Sequence, residues 1–307
     1  MKRAFTLLEL VVVIVVLGII AMMSFNAIMN IYSNYFQTRT VNELETQTEI
    51  ALEQISKRLE HRIKPSVIAR KTDGAFLALN DSGVNLDAKY EILEFIPYAY
   101  EIFNDVPSGN KAGRYSGYVD LAKSSPATGL ISPGSNFSTE VVETIKDLTC
   151  KDDASGCVDF KDKDGSVVAI FSDVYYDVQN SFGYKGILNL DIAKVGVKSI
   201  DGDTLEISGF ANKQISEQYH LAYTANAIVP EQSADPKDTA NGVFDLNLYY
   251  DYRPWMGEKY KQNGEKATLA KNVTRFVFTE KNGVIVLKLC MRAKNSEITI
   301  CKSKAVY

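Results

Sequence analysis

From Leu10 to Met23 the chain runs for fourteen residues without one polar side chain, and this tract sits almost at its start. A helix from Phe5 to Phe25 would reach roughly 32 Å at about 1.5 Å per residue, enough to cross a hydrocarbon core about 30 Å thick. A soluble core helix keeps a polar face, and this tract has none for four turns. An ordinary secretory signal has a shorter apolar core closed by small residues, whereas Ala21-Met22-Met23 makes a poor cleavage site. The tract therefore reads as a membrane span. Lys2 and Arg3 precede it and hold the short leader on the cytoplasmic side, which puts the rest of the chain outside the cytoplasm.

Glu9 is out of place at the head of such a run. A carboxylate in hydrocarbon costs on the order of 3 kcal/mol, so it calls for a partner. A plain signal anchor has no use for it. If the chain were cut between Ala4 and Phe5, the new amino group would lie about one helical turn from Glu9, within one helix or on a neighbour's terminus.

Ala4-Phe5-Thr6-Leu7-Leu8-Glu9, after its basic leader, resembles the class III signal of type IV pilins and pseudopilins. The resemblance implies cleavage after Ala4 by a prepilin peptidase, N-methylation of Phe5, and subunit assembly through Glu9 and the apolar helices. Ala4 stands where the family usually has Gly. The implied partners are other pilins or pseudopilins, the peptidase and an inner-membrane assembly platform, with no cofactor. The implied location is the inner membrane, single-pass, with a periplasmic head, and then the filament. The expected organisation is a leader at 1–4, a long pilin helix at 5–65 (5–25 transmembrane) and a β-rich head at 66–307. The expected fold class is α+β, a transmembrane and then amphipathic helix packed on an antiparallel β-rich head.

Beyond the span, Val41, Leu44, Thr48, Leu52, Ile55, Leu59 and Ile63 recur at spacings of three and four, one stripe of a helix. Asn26 and Asn30 stand near the join, either as points where the helix loosens or as markers of the lipid headgroup level, and Pro65 is the stop signal. After Pro65 the period shifts towards two. Strands are expected at 75–79, 90–103, 166–178, 188–200, 204–210, 219–229 and 243–252, a short helix at 141–148, and loops at 104–139 and 230–242. A loop as long as 104–139 is functional or mobile. Near the C-terminus, Phe276–Phe278 and Val284–Leu289 flank Asn282-Gly283, a strong hairpin signal. Pairing about that turn sets Phe278 opposite Leu287 and Phe276 opposite Leu289, and a further turn at Lys294-Asn295-Ser296 returns a third strand. Such a meander laid on the helix stripe buries both apolar faces at once. The run Leu269 to Phe278 and the two strands after it are similar to the end of large minor pilins and J-type minor pseudopilins.

The chemistry-bearing residues are few. Cys150 and Cys157 bracket a six-residue loop, and Cys290 and Cys301 face each other across the last turn. On an exported chain both pairs read as disulfides, because a four-cysteine metal site has pairs two to four residues apart. A two-residue turn would put Cys290 and Cys301 at a hydrogen-bonded position. The acidic stretch Asp152, Asp153, Asp159, Asp162, Asp164 and Gly165 fails the calcium-loop template, since Phe160 and Phe171 take its first and last ligand positions. It is read first as solvated turns, with calcium held by an irregular loop, as some pseudopilins hold it, as the weaker alternative, and no metal ligand is assigned. His61 is expected to face solvent from the helix and His220 to sit in a strand. Lys259, Lys261, Lys266 and Lys271 surround Tyr260 but alternate with Glu258 and Glu265, and the net charge is −4, so no nucleic-acid partner is expected. No catalytic constellation emerges, and the chain does not read as an enzyme. The expected function is that of a minor pilin or pseudopilin that assembles into or initiates a type II secretion or DNA-uptake pseudopilus. The alternatives are a tip subunit of a surface type IV pilus and a signal-anchored periplasmic binding or sensor domain.

Overall fold

The computed structural model describes residues 7–80, 90–103, 113–125, 127–151, 156–186, 191–208, 215–294 and 296–307. Helix α1 (Leu7–Glu60) is a rod about 80 Å long, unbroken through Asn26 and Asn30. Every residue from Leu7 to Arg39 is exposed. From Leu44 onward one face is buried, formed by Leu44, Thr48, Leu52, Ile55 and Leu59 with Ala51 and Ser56 beside them. Val41, first on the expected stripe, is only half-buried. The helix stops before Ile63 and before Pro65, because the sheet claims the backbone first. Ile63 N–H donates to Ile96 O at 2.8 Å and Tyr98 N–H to His61 O at 2.9 Å, so residues 61–63 pair as an extended segment.

Thirteen described strands form two antiparallel sheets. They are β1 (Ile68–Arg70), β2 (Phe76–Ala78), β3 (Ile92–Phe95), β4 (Leu130–Ile131), β5 (Val167–Phe171), β6 (Ala193–Val197), β7 (Thr204–Ser208), β8 (Tyr219–Ala222), β9 (Ala225–Gln232), β10 (Phe244–Tyr252), β11 (Glu265–Lys281), β12 (Val284–Arg292) and β13 (Thr299–Val306). The larger sheet has the order β13-β12-β11-β10-β9-β3-β1-β2, the smaller β4-β7-β6-β5-β8. The fold is α+β, with α1 laid on a β-rich head.

The C-terminal meander has the expected register. Phe278 pairs with Leu287 and Phe276 with Leu289, and Asn282 and Gly283 both take positive φ, 54° and 79°, as a type I′ hairpin turn requires. These apolar residues share one core with the buried face of α1. Cys290 lies opposite Cys301 and is bonded to it. The position type differs from the two-residue-turn expectation. Ala293 N–H donates to Ile298 O, so the loop between them holds four residues and the hydrogen-bonded positions shift by one. The cysteines then fall at a non-hydrogen-bonded pair, where strands approach more closely, in keeping with a Cα–Cα distance of 4.0 Å. Cys150 is bonded to Cys157. Replacing either pair by serine is expected to lower stability by about 2 to 3 kcal/mol, the loop-closure entropy returned to the unfolded chain. Denaturant unfolding with and without reductant measures this, and equal midpoints would contradict it.

Several strands are shorter than their sequence patterns. The pattern at 90–103 yields β3 and then a 3-10 turn at Tyr100–Ile102, with Pro97 at an isolated bridge to Arg62. The pattern at 166–178 stops at Phe171. The pattern at 219–229 breaks at Tyr223-Thr224, where the chain steps from the smaller sheet to the larger. Pro230 belongs to β9, not to the following loop. The expected helix is α2 (Thr139–Thr149), its N-cap Ser138 accepting from Val141 N–H. Residues 104–112 and 126 lie outside the described segments, but 113–125 and 127–138 are no free loop. Tyr115, Val119, Leu130 and Phe137 are buried in the core of the smaller sheet. The serines of this stretch satisfy its polar groups. Ser132 Oγ donates to Tyr118 O and meets the Tyr219 hydroxyl, both at 2.7 Å, and Ser135 Oγ accepts from Ser116 N–H at 2.9 Å.

A third core joins the sheets around Tyr176, Phe182, Tyr184, Tyr252 and Trp255. Inside it Glu94, 2% exposed, accepts from Arg70 Nε at 2.6 Å and from the Tyr252 hydroxyl at 2.8 Å. Burial pushes the Glu94 carboxyl up, against the pull of Arg70.

Candidate assembly interface

The exposed part of α1 divides into two zones. Leu10 to Met23 is apolar on every side. From Asn26 the pattern becomes one-sided, with Asn26, Asn30, Ser33, Asn34 and Gln37 on one stripe at helical spacing. Ile28, Ile31, Tyr32, Tyr35 and Phe36 lie on the other face, each more than half exposed. Phe36 contacts Tyr32 and Tyr35, with ring centroids 6.5 and 5.9 Å apart. The 3.6-residue period of 26–37 is plain in the sequence, but the two asparagines, read singly as points of weakness, hid it.

Length decides what this zone needs. Leu7 to Phe36 extends about 45 Å, and a bilayer core covers about 30 Å of it. The remainder leaves the apolar face of Ile28 to Phe36 outside the hydrocarbon, and burying each large aliphatic or Phe side chain there is worth about 1.5 to 3 kcal/mol. Other helices of the same kind would supply a complementary apolar cover. Glu9 lies exposed in the first turn of α1, where the helix dipole also favours a negative charge. Ala4 and Phe5 lie outside the described residues.

The buried half of α1 is fixed to the head by charge as well as by packing. Lys302 Nζ meets Glu49 at 2.7 Å, and Lys304 pairs with Glu53 one helical turn further on. The Lys302 contact holds the Glu49 carboxyl below its usual range. Arg62 is 6% exposed and donates to the carbonyls of Leu59, Gly283 and Tyr307 at 2.8, 2.9 and 3.2 Å. It thus ties the helix end to the hairpin turn and to the end of the third strand, a role the sequence pattern did not single out.

The remaining candidates are placed as follows. His61 does not project from the helix into solvent. It follows the last helical residue, its Nδ1 is 3.1 Å from the Tyr98 hydroxyl, and its ring stacks on Tyr100 at 4.0 Å. His220 is in β8 with its ring 5.1 Å from that of Tyr98, and burial pulls its pKa down. In the acidic stretch, Asp159 and Asp164 accept backbone N–H groups of Lys161 and Ser166 at 2.9 and 2.7 Å, while Phe160 and Phe171 are buried. Asp152 and Asp153 lie outside the described residues, and among the described ones no three His, Cys, Asp or Glu side chains converge. Of the lysines near Tyr260, Lys266 and Lys261 both face Glu231.

Residues 1–25 match the family model of the prokaryotic N-terminal methylation motif. No curated protein and no solved structure matches the chain.

Proposed function

We propose that this chain, which carries the methylation motif typical of type IV pilins and pseudopilins, is a minor pilin or pseudopilin. It assembles into or initiates a type II secretion or DNA-uptake pseudopilus. It is held in the inner membrane by residues 5–25 with its head in the periplasm, and it acts by packing rather than by catalysis. One observation supports this reading above the others. The apolar surface of α1 continues, one-sided and aromatic, for about 15 Å beyond what a bilayer covers, as a helix needs if it leaves lipid for a bundle of like helices. Prepilin peptidase would cut after Ala4, and Phe5 would be methylated.

Intact-mass measurement on protein from the native host tests the processing step, with an N-methylated Phe5 terminus as the expected result. Ala4→Glu is expected to block the cut while leaving insertion intact, because Lys2, Arg3 and the apolar tract remain. A mature chain starting at Met1, or cut near Met23, would sink the proposal in favour of an anchored periplasmic domain or an ordinary signal.

A further inference from the structure

The strand at the end of a sheet presents a row of backbone N–H and C=O groups that another chain can pair with, and folded proteins cover or break such rows. Among the described residues, three of the sheet ends here are covered. Along β8, Ala99 N–H donates to Leu221 O at 2.7 Å and Tyr219 N–H to Gly117 O at 2.9 Å. Beside β4, Asp120 N–H donates to Ile131 O at 2.8 Å. Beside the short β2, Gln179 Nε2 donates to Phe76 O at 3.1 Å. The remaining end, β13, is long and open. It pairs with β12 from Thr299 to Val306 without a register shift and contains no proline. With Cys290 and Cys301 at a non-hydrogen-bonded pair, Ile300, Lys302 and Lys304 bond to β12. The N–H and C=O of Thr299, Cys301, Ser303 and Ala305 therefore point away from the sheet. All four residues are exposed, and these groups have no hydrogen-bond partner among the described residues.

Charge selects what would pair there. Lysines on an edge strand ordinarily repel a newcomer, but Lys302 and Lys304 turn to α1, where Glu49 and Glu53 neutralise them. On the opposite face β13 shows only Thr299, Cys301, Ser303 and Ala305, small and uncharged. Above the edge runs one flank of α1. Glu45, Glu49 and Glu53 follow one another at helical spacing, with Glu60 two turns beyond Glu53. Glu45 and Glu60 are exposed and have no ion pair among the described residues, so this flank keeps carboxylates in excess of the lysines beneath it. Lys57 and Arg58 stand on the other side of the helix, where they line a cleft with Gln54. A second copy is a poor occupant. Antiparallel pairing of β13 with its twin about a two-fold axis keeps both helices on one face of the joint sheet, so the acidic flanks and the lysines would each oppose their like.

We infer that the free edge of β13 receives an extended segment of a different protein, which adds a strand to the larger sheet and carries basic side chains at alternate positions. Main-chain bonds to Thr299, Cys301, Ser303 and Ala305 supply the attachment. Side chains alternate between faces along such a strand, so the lysines or arginines lie under the α1 flank, facing Glu45 and Glu60, while small residues continue the outer face.

The test uses the full chain in micelles of an uncharged detergent. The probes are capped, fluorescently labelled octapeptides that alternate threonine with lysine, or threonine with glutamate, and a peptide copying β13 with serine for its cysteine. Anisotropy reads binding, and hydrogen exchange reads the amides of 299–306. Saturable binding of the lysine peptide, about tenfold or more tighter than the glutamate peptide and the β13 copy, is expected, together with slowed exchange in 299–306. Ser303→Pro removes one outward N–H and no ladder bond, so it should weaken binding at least tenfold with the unfolding temperature unchanged. Should that variant fail to fold, methylated peptides decide. Methyl groups on alternate amides block one edge of the peptide, so of two lysine peptides methylated at opposite sets of positions one binds and the other does not. No binding, equal binding of the lysine and glutamate peptides, preference for the β13 copy, or binding without slowed exchange in 299–306 would each overturn the inference. So would indifference to a well-folded Ser303→Pro, or to which amides are methylated, since charge alone would then hold the peptide.

Discussion

Replacing Glu9 by valine is expected to abolish secretion or DNA uptake while leaving membrane insertion and processing at least as efficient as before. Removal of the carboxylate lowers the cost of insertion by on the order of 3 kcal/mol, so an anchor that did nothing else would improve. In an assembling filament the loss falls elsewhere. The Phe5 amine exposed by processing, or that of a neighbour, is left without its counter-charge in a medium that does not forgive an unpaired ammonium. Glu9→Asp keeps the charge and shortens the reach, so an intermediate defect is expected. The measurement scores membrane level, processing and transport in each variant. Normal transport with valine at position 9 would show that pairing is not what this residue does, and would favour a plain anchor or a tip subunit held by its neighbours' glutamates.

Arg70→Met is expected to be the most damaging single change in the head, at about 3 to 5 kcal/mol, because it leaves Glu94 charged and buried with only Tyr252 to support it. Its pH dependence identifies the cause. In the folded protein burial already pushes Glu94 up, so the folded state binds the proton more tightly than the unfolded chain. Stability from this group is then greatest at low pH and falls as pH rises from the unfolded value through the folded one. Without Arg70 the folded value moves higher still, so the variant should recover on acidification from about pH 8 to pH 5. Glu94→Gln added to Arg70→Met should restore much of the loss at high pH. Thermal unfolding of the full chain in micelles across this range is the check. An equal deficit at both ends of it would mean that Arg70 matters through its contacts with Phe76 and Tyr184, not through its charge.

What could be read from the sequence was what local periodicity or a single turn controls. The span, the stripe from Leu44 to Leu59, the type I′ turn at Asn282-Gly283 and the pairing of the last three strands all belong to this kind. Contacts distant in sequence were hidden. Helix α1 ends at Glu60 because residues 96–98 reach it first, which no property of residues 61–65 announces. Tyr219 to Val229 is one β-rich run in sequence, yet it crosses between two sheets, since both halves satisfy the same propensities. Residues 113–125 and 127–138 have loop composition because, apart from the short β4, serine side chains satisfy many of their turns. At the exposed part of α1 the residue types of the first turns carried the reading, whereas the irregularity of β10 at the left-handed Asp251 leaves no periodic trace.

The pairing of Glu49 with Lys302 and of Glu53 with Lys304 fixes a direction. Four residues along the helix match two along the strand, so α1 and β13 advance together in the same sense, and Arg62 reaches Tyr307 at the far end. A pull on the membrane-side end of α1 therefore runs along the seam between helix and head rather than across it. Load applied in that direction is shared at once by the whole stripe from Leu44 to Leu59, both ion pairs and the Arg62 contacts. Load across the seam would open them one after another. The joint resists sliding, which is the load the head would bear if the proposed filament pushed the helix outward or drew it back.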